Sequence, residues 1–506
     1  MADRPGEHNL AGLAEQSLAR HGDRDALCFE GEWHSSGGLF ERACRLASGL
    51  TELGVAPGDR VVVLMSNCPE VGIAYSAIWR AGAVLTPAIF LLSAAELNHV
   101  LADSEARAVI TTPELAPAVR EARKGVESLR ATVVVGKASE DEVSLAELEQ
   151  SEPGAIVARE DEELAALLFT GGTTGRAKGV MLSHEAIWRA GKAGHDAGYV
   201  PGVNRSLATL PLSHSYGLLV TAVGLHAVEP PTTVLLRWFE PEAFLSLVEE
   251  HGLQISAVVP STVQALLAAP LEEYDLGSLR KLVCGAAPLA PELMRAVGER
   301  LPQVELREGY GLTETSALVS TNPPGAVRPG SVGKPVDSVE LRIVDERDEG
   351  LPAGEVGEIC CRTPFAMLGY WRDPAQTAEV MRGGWLHTGD LGYVDEDGYL
   401  FVVDRKKDLI IRGGFNVFPR DVEDALLEHP AVAAAGVVGR PDEERGEEVV
   451  AFVELRDGEE LTNEELITYA KERIGGYKYP REVHIVPSVP LTPVGKVDRK
   501  ALRSLA

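Results

Sequence analysis

From residue 59 to about 310, short runs of aliphatic and β-branched residues alternate with stretches whose apolar positions recur every three or four residues. The runs VVVLMSN (61–67), ARAVITT (106–112), ATVVVG (131–136), LAALLFT (164–170), TVLLRW (233–238), QISAVVPS (254–261) and LRKLVCGA (279–286) have almost no polar face. That is the pattern of strands buried on both sides. Between them, PEVGIAYSAIWRAGA (69–83) and PEAFLSLVEEHG (241–252) carry helical periodicity. Strand and helix alternating in this way predict α/β architecture, with parallel sheets covered by helices. There is no internal repeat of fixed period.

After Pro324 the pattern changes. SVELRIVDERDEGLPAGEVGEICCRTP (338–364) and LGYVDEDGYLFVVD (391–404) read as strands joined by Asp/Gly/Pro turns, an antiparallel sheet or small barrel. After Asp404 it changes again, to an α+β tail. There PRDVEDALLEH (419–429) puts Val422, Ala425 and Leu426 on one helix face, and Thr462 and Glu465 form a capping box before ELITYAKERI. The predicted domains are therefore 1–404 and 405–506, with a boundary near Arg405.

Composition narrows the function classes. The chain has 506 residues, 45% hydrophobic and 25% charged, enough for several cores. A formal net charge of −28 gives no electrostatic footprint for nucleic acid. Six cysteines (28, 44, 68, 284, 360 and 361) lack metal-ligand spacing and read as reduced, buried thiols. The N-terminus has no signal-type apolar core, and the longest apolar run, near LLVTAVGLHAV (218–228), is too short to span a bilayer. A cytoplasmic protein without an integral membrane segment is expected.

The densest chemistry lies in LLFTGGTTGRAKGVMLSH (167–184), which gathers glycines, threonines and one lysine after an apolar run. It is not a Walker loop: Lys137, Lys192, Lys334 and Lys496 each follow Gly but precede Ala, Ala, Pro and Val rather than Ser or Thr. Gly171, Gly172 and Gly175 also miss the dinucleotide-fold spacing. The physics is still that of a phosphate cradle. Glycines admit close backbone approach, Thr hydroxyls and N–H groups donate, and Lys178 adds charge. A Gly/Thr-rich surface turn is the plainer alternative.

Other constellations follow along the chain. In REGYGLTETS (307–316), Gly309 and Gly311 flank Tyr310, a ring suited to stacking on a base, and Thr313 and Glu314 supply a hydroxyl and a carboxylate. A carboxylate near a triphosphate suggests a Mg²⁺ ligand. GWLHTGDLG (384–392) is read as a turn presenting Asp390 to a ribose diol. VDRKKDLIIRGGFNV (403–417) carries Arg405, Lys406, Lys407 and Arg412, which taken alone are a solvated charged face. Lys496, in PLTPVGKVDRKAL, is taken alone a surface lysine.

In this order and spacing, from about residue 30 to 503, these motifs resemble the adenylate-forming superfamily of acyl-CoA synthetases, peptide-synthetase adenylation domains and firefly-type luciferases. The resemblance implies a large N-terminal domain of two helix-covered α/β sheets plus a small barrel, and a small mobile α+β C-terminal domain. It implies ATP phosphates held by Thr170, Gly171, Gly172, Thr173, Thr174, Gly175 and Lys178, with Thr170 also near the metal. Gly171 and Ala177 stand where Ser and Pro are usual. Gly285, Ala286 and Ala287 would line the adenine and acyl pockets, with Tyr310 on adenine, Thr313 on the α-phosphate and Glu314 on Mg²⁺. Glu308 stands where Gln or Asn is more usual. Asp390 and Arg405 would hold the ribose, Lys496 would bridge carboxylate and α-phosphate, and Lys407 would be the hinge. Gly413 and Gly414 would line the pantetheine tunnel, with Arg412, Lys478 and Arg481 near CoA phosphates.

LPLSHSYGL (210–218) distinguishes the branches. It has His214-Ser215 where amino-acid-activating domains resembling it carry an Asp for the substrate ammonium. His214 also suits a structural role at a helix start. With His214, Tyr216, Trp238, Gly285 and Gly311 as the acyl pocket, the expectation is an ATP-dependent acyl-CoA ligase for a fatty or aromatic acid. The alternatives are an acyl-AMP ligase loading a separate carrier protein, a luciferase-like monooxygenase, and an inactive adenylate-binding scaffold. The acid's identity and a homodimeric state stay open at this stage.

Overall fold

The computed structural model describes residues 6–170, 177–442, 444–492 and 496–506. The chain divides into two compact units, Met1–Glu340 with Cys361–Leu386, and Leu341–Cys360 with His387–Ala506.

The first unit holds two large sheets. One has eight strands, in the order Gly369–Tyr370, Lys178–Ser183, Leu164–Thr170, Val84–Pro87, Arg60–Leu64, Ala108–Thr111, Ala131–Val134 and Val143–Ser144. Its interior is parallel, as the all-apolar runs require, and Val61, Val62, Val63, Ala108, Val109 and Ile110 are at most 1% exposed. A strand so buried offers no polar face to water, so helices must cover both sides. One of these, Pro69–Arg80, begins with the Pro-Glu of the predicted helix; proline at the first turn forfeits no hydrogen bond.

The other sheet has nine strands, in the order Lys334–Pro335, Ser320–Thr321, Glu305–Tyr310, Lys281–Cys284, Ile255–Val258, Arg205–Ala208, Thr232–Leu235, Asp25–Phe29 and Glu32–Ser35. Six consecutive strands, from Glu305–Tyr310 to Asp25–Phe29, run parallel. In open parallel sheets ligands bind beyond the carboxyl ends of strands. The segments after Ala208, Cys284 and Tyr310, which carry His214, Tyr216, Gly285, Ala286, Ala287, Gly311, Thr313 and Glu314, leave at those ends.

In the second unit the Asp/Gly/Pro-turn region forms a four-stranded sheet of Glu340–Val344, Gly357–Arg362, Leu386–Val394 and Leu400–Arg405. The tail forms a five-stranded sheet in which Phe415–Val417, Ile410–Arg412, Gly446–Leu455 and Val432–Asp442 follow one another, and Glu482–Ile485 joins Gly446–Leu455 in parallel. Val422, Ala425 and Leu426 of helix Pro419–Leu427 are buried, as their spacing predicts. At helix Asn463–Arg473 the capping box forms: Glu465 N–H donates to Thr462 Oγ1 (3.2 Å) and Thr462 N–H to Glu465 Oε2 (2.8 Å). None of the six cysteines is in a disulfide, and all are buried. Among the described residues no helix is long and apolar enough to cross a membrane.

Candidate active site

Thr170 ends one strand and Lys178 begins the next, and the two are register partners in an antiparallel hairpin. The Gly/Thr loop between them, including Gly171, Gly172, Thr173, Thr174 and Gly175, lies outside the described residues. Lys178 is held where the hairpin closes: its ammonium donates to Gln376 Oε1 and sits 5.8 Å from the Tyr370 ring centroid.

Beyond strand Glu305–Tyr310 the chain makes a tight turn, Thr313–Thr315. Gly311 is obligatory there, because a Cβ would lie 2.3 Å from the Ala317 carbonyl. Ser316 and Ala317 both adopt positive φ (50° and 67°), local strain that a packed turn retains at functional sites. Thr315, fully buried, accepts from Leu312 N–H (3.1 Å) and donates back to Leu312 C=O (3.0 Å). With the turn so fixed, Thr313 Oγ1 meets Ser215 Oγ at 3.1 Å, and Glu314 Oε1 accepts from the Tyr370 hydroxyl at 2.9 Å. The backbone adds a third tie, Met367 N–H to Glu314 C=O at 2.8 Å. No local sequence pattern exposes Tyr370 and Gln376, which lie 56 and 198 residues from the partners they serve.

His214 caps helix Ser215–Leu225, its Nδ1 accepting from Tyr216 N–H at 3.2 Å. The structural role considered for it is thus real, and it fixes Nδ1 as an acceptor. The loop is placed by buried Asn67, whose amide donates to Leu210 C=O (2.9 Å) and Leu236 C=O (3.1 Å) while its Oδ1 accepts from Leu212 N–H (3.0 Å). Tyr216 donates to Val283 C=O (2.9 Å), and its ring would lie 3.3 Å from a Cβ at Gly285, so a side chain there would crowd this wall. Ala286 follows with φ 69°. Buried Glu308 accepts from Leu289 N–H (3.2 Å), pinning the Gly285–Ala286–Ala287 segment to the next strand. Trp238, another predicted pocket residue, is 43% exposed and packs edge-on against Phe90 with ring centroids 4.7 Å apart.

The second unit carries the remaining residues. Asp390, expected in a turn, instead lies inside strand Leu386–Val394 as the register partner of Arg405. The positive φ of Gly389 (70°) puts the bend one residue earlier and leaves Asp390 in the ladder. Arg405 Nε pairs with Asp390 Oδ1 at 3.0 Å, so the two proposed ribose ligands already form one unit. Lys407 is exposed within the short turn Lys406–Asp408, while its buried neighbour Asp408 pairs with Arg503 (2.6 Å).

Gly413 and Gly414 form the hairpin turn after Ile410–Arg412, with φ of 58° and 81°. Arg412 and Lys478, expected to be open to CoA phosphates, are engaged internally: Arg412 is buried against Glu448 (2.5 and 3.0 Å), and Lys478 pairs with Asp421 (2.5 Å). In this structure both brace the fold, and the exposed part of the hairpin is its glycine backbone with Ile411, Phe415 and Asn416. Lys496 is tied to Thr492: its C=O accepts from Thr492 N–H (2.6 Å) and its N–H donates to Thr492 Oγ1 (3.2 Å). Helix Arg499–Arg503 follows directly, with Leu502 fully buried.

Mg²⁺ prefers one or two carboxylates together with phosphate oxygens over a protein-only cage. A single carboxylate at Glu314 and a strand-end hydroxyl at Thr170 fit that donor set, and among the described residues no trio of His, Cys, Asp or Glu could hold a metal ion.

Known proteins resemble this chain over most of its length. The model of the AMP-binding enzyme family matches residues 14–371, and that of the AMP-binding enzyme C-terminal domain matches 421–496. The long-chain-fatty-acid–CoA ligase of Bacillus subtilis (strain 168) is 34% identical over 527 residues, covering 97% of this chain and 94% of that protein. A feruloyl-CoA synthase of Amycolatopsis sp is 37% identical over 469 residues, covering 92% of each. The structure of the amide bond synthetase McbA from Marinactinospora thermotolerans superposes with a TM-score of 0.89 at 33% identity, covering 98% of this chain and 99% of that one. The chain belongs to the AMP-binding enzyme family, within the adenylate-forming superfamily, and is an AMP-forming acid–thiol ligase.

Proposed function

We propose that this ligase activates a fatty or aromatic carboxylic acid and transfers the acyl group to CoA. A carboxylate oxygen attacks the α-phosphorus of ATP, pyrophosphate leaves, and the acyl adenylate remains. The sulfur of CoA then attacks the acyl carbon and AMP departs. Attack brings two anions together, so cations near the α-phosphate lower the barrier. Lys178 and Lys496 supply them, Thr313 contacts the α-phosphate, and Asp390 with Arg405 holds the ribose. Mg²⁺, held by Glu314 and Thr170, would neutralise phosphate charge. Lys496 serves the first step and the Gly413-Gly414 hairpin the second, with Lys407 as the pivot between them.

The observation that carries the choice of acid is the wall made by Tyr216 against Gly285 beside His214. These groups are neutral or apolar, and an unpaired ammonium or second carboxylate buried there would be costly. Similarity to both a fatty-acid and a hydroxycinnamate ligase supports a neutral tail of either kind. The test is ATP–pyrophosphate exchange over aliphatic acids, cinnamates, benzoates, amino acids and dicarboxylates. Exchange with the first three groups is expected; preference for an amino acid or dicarboxylate overturns the reading.

The acceptor has a second reading, because the similar McbA is named an amide bond synthetase. Offering CoA, a phosphopantetheinyl carrier protein and a simple amine to the preformed acyl adenylate separates thioester, carrier-loading and amide outcomes. Free CoA is the expected acceptor. Six cysteines without a disulfide support a cytoplasmic setting.

A further inference from the structure

We propose that Tyr370 is a positioning residue that keeps the candidate metal ligand Glu314 and the phosphate-binding Lys178 apart and aimed; this rests on the adenylation reading above. Tyr370 touches both charges, its hydroxyl donating to Glu314 Oε1 at 2.9 Å while its ring faces the Lys178 ammonium at 5.8 Å. A carboxylate and an ammonium on either side of one phenol would otherwise approach each other, and a direct ion pair would compete with the metal and the phosphates for both groups. The phenol gives the carboxylate a neutral donor at one oxygen, and Gln376 gives the ammonium a neutral acceptor. Each charge is thereby oriented without being cancelled.

The segment that delivers Tyr370 is built for the purpose. It pairs antiparallel with the strand that begins at Lys178, Gly369 opposite Met181 and Tyr370 opposite Val180. Trp371 N–H donates to Gly179 C=O (2.7 Å), and a Cβ at Gly179 would crowd the Leu167 methyl (2.8 Å) and Trp371 Cβ (3.0 Å). Tyr370 N–H donates to Thr377 Oγ1 (2.8 Å), and Asp373 caps the helix that presents Gln376, accepting from Gln376 N–H at 3.0 Å. One compact stretch, 369–377, thus carries both neutral partners.

The experiment measures ATP affinity by titration calorimetry as Mg²⁺ is raised from zero, with thermal unfolding alongside. Tyr370→Phe should raise the Mg²⁺ concentration for half-maximal tightening on the order of tenfold. Metal-free ATP affinity should stay within about twofold, and the melting temperature should not move, because the ring remains in place. Glu314→Asp, one methylene shorter, breaks the same contact from the other side and should shift the midpoint in the same direction. In a Glu314→Gln background Tyr370→Phe should add nothing. An unchanged Mg²⁺ midpoint in Tyr370→Phe, or a shift that persists with Glu314→Gln, overturns the proposal. A wild-type protein whose ATP affinity ignores Mg²⁺ overturns it together with the assignment of the metal to Glu314.

Discussion

Glu314 in the large unit and Glu423 in the small one are both carboxylates fixed by a network, yet the networks differ in kind. Glu423 is buried, receives Arg499 on both oxygens at 2.8 Å, and also accepts from Val437 N–H at 2.9 Å. Burial pushes its carboxyl up to about 7, with Arg499 opposing that rise. Around it Asp408 pairs with Arg503, so the turn holding Lys407 is tied to the helix that follows Lys496. Glu314 is only half-buried, and among the described residues its carboxylate has one neutral hydroxyl as partner. A closed charge network specifies structure, whereas an open one leaves charge for a ligand. The difference is read from completeness, not from the presence of charge.

The comparison predicts opposite consequences for the two sites. Arg499→Ala leaves Glu423 buried without its partner and should cost about 3–5 kcal/mol in urea unfolding. The cost should shrink as pH falls towards 7, because without Arg499 to oppose burial the stranded carboxyl takes up its proton above that pH. Replacing both partners by Met and Leu should recover most of it; failure to recover would mean that the pair has a role beyond closure.

A smaller effect comes from His184 in the large unit. Burial, then the charge of Arg159, lowers its pKa to about 4, and its Nδ1 accepts from Leu10 N–H at 3.3 Å. The unfolded chain takes up this proton near pH 6.5 while the folded chain refuses it until about 4. Stability is therefore fully present above pH 6.5 and lost as pH falls towards 4, by roughly 3 kcal/mol. Substituting His184 by Gln should flatten this acid limb in urea titrations at stepped pH; a limb of unchanged slope would assign it elsewhere.

The smallest effect concerns the pivot. Lys407→Pro fixes φ and removes a donor in the exposed turn. It should slow thioester formation about tenfold more than adenylation in single-turnover measurements. Equal rates for both steps would place the pivot elsewhere.

Much of the fold was legible because apolar runs such as 61–64 and 108–110 have no polar face for water, and the Thr462–Glu465 box acts within one helical turn. The Tyr310–Glu314 segment was legible for the same reason: its glycines and its acid sit within a few residues. What escaped depends on long-range partners. Arg412 reads as an exposed cation until Glu448, 36 residues away, buries it. Asp390 reads as a turn residue until the strand ending at Arg405 pairs with it. Tyr370 gains its role only because its strand lies beside the one that begins at Lys178.

We propose that Lys496 serves acid activation alone while the Gly413-Gly414 hairpin serves transfer. Lys496→Ala, assayed on each half-reaction with the best acid of the panel, tests this most directly. Loss of one positioned charge on the developing transition state should lower acyl-AMP formation on the order of 10²–10³-fold. Supplied acyl-AMP with CoA should still yield thioester within about twofold of the wild-type rate, since a group absent from a step leaves its barrier unchanged. Equal loss in both half-reactions would contradict the account.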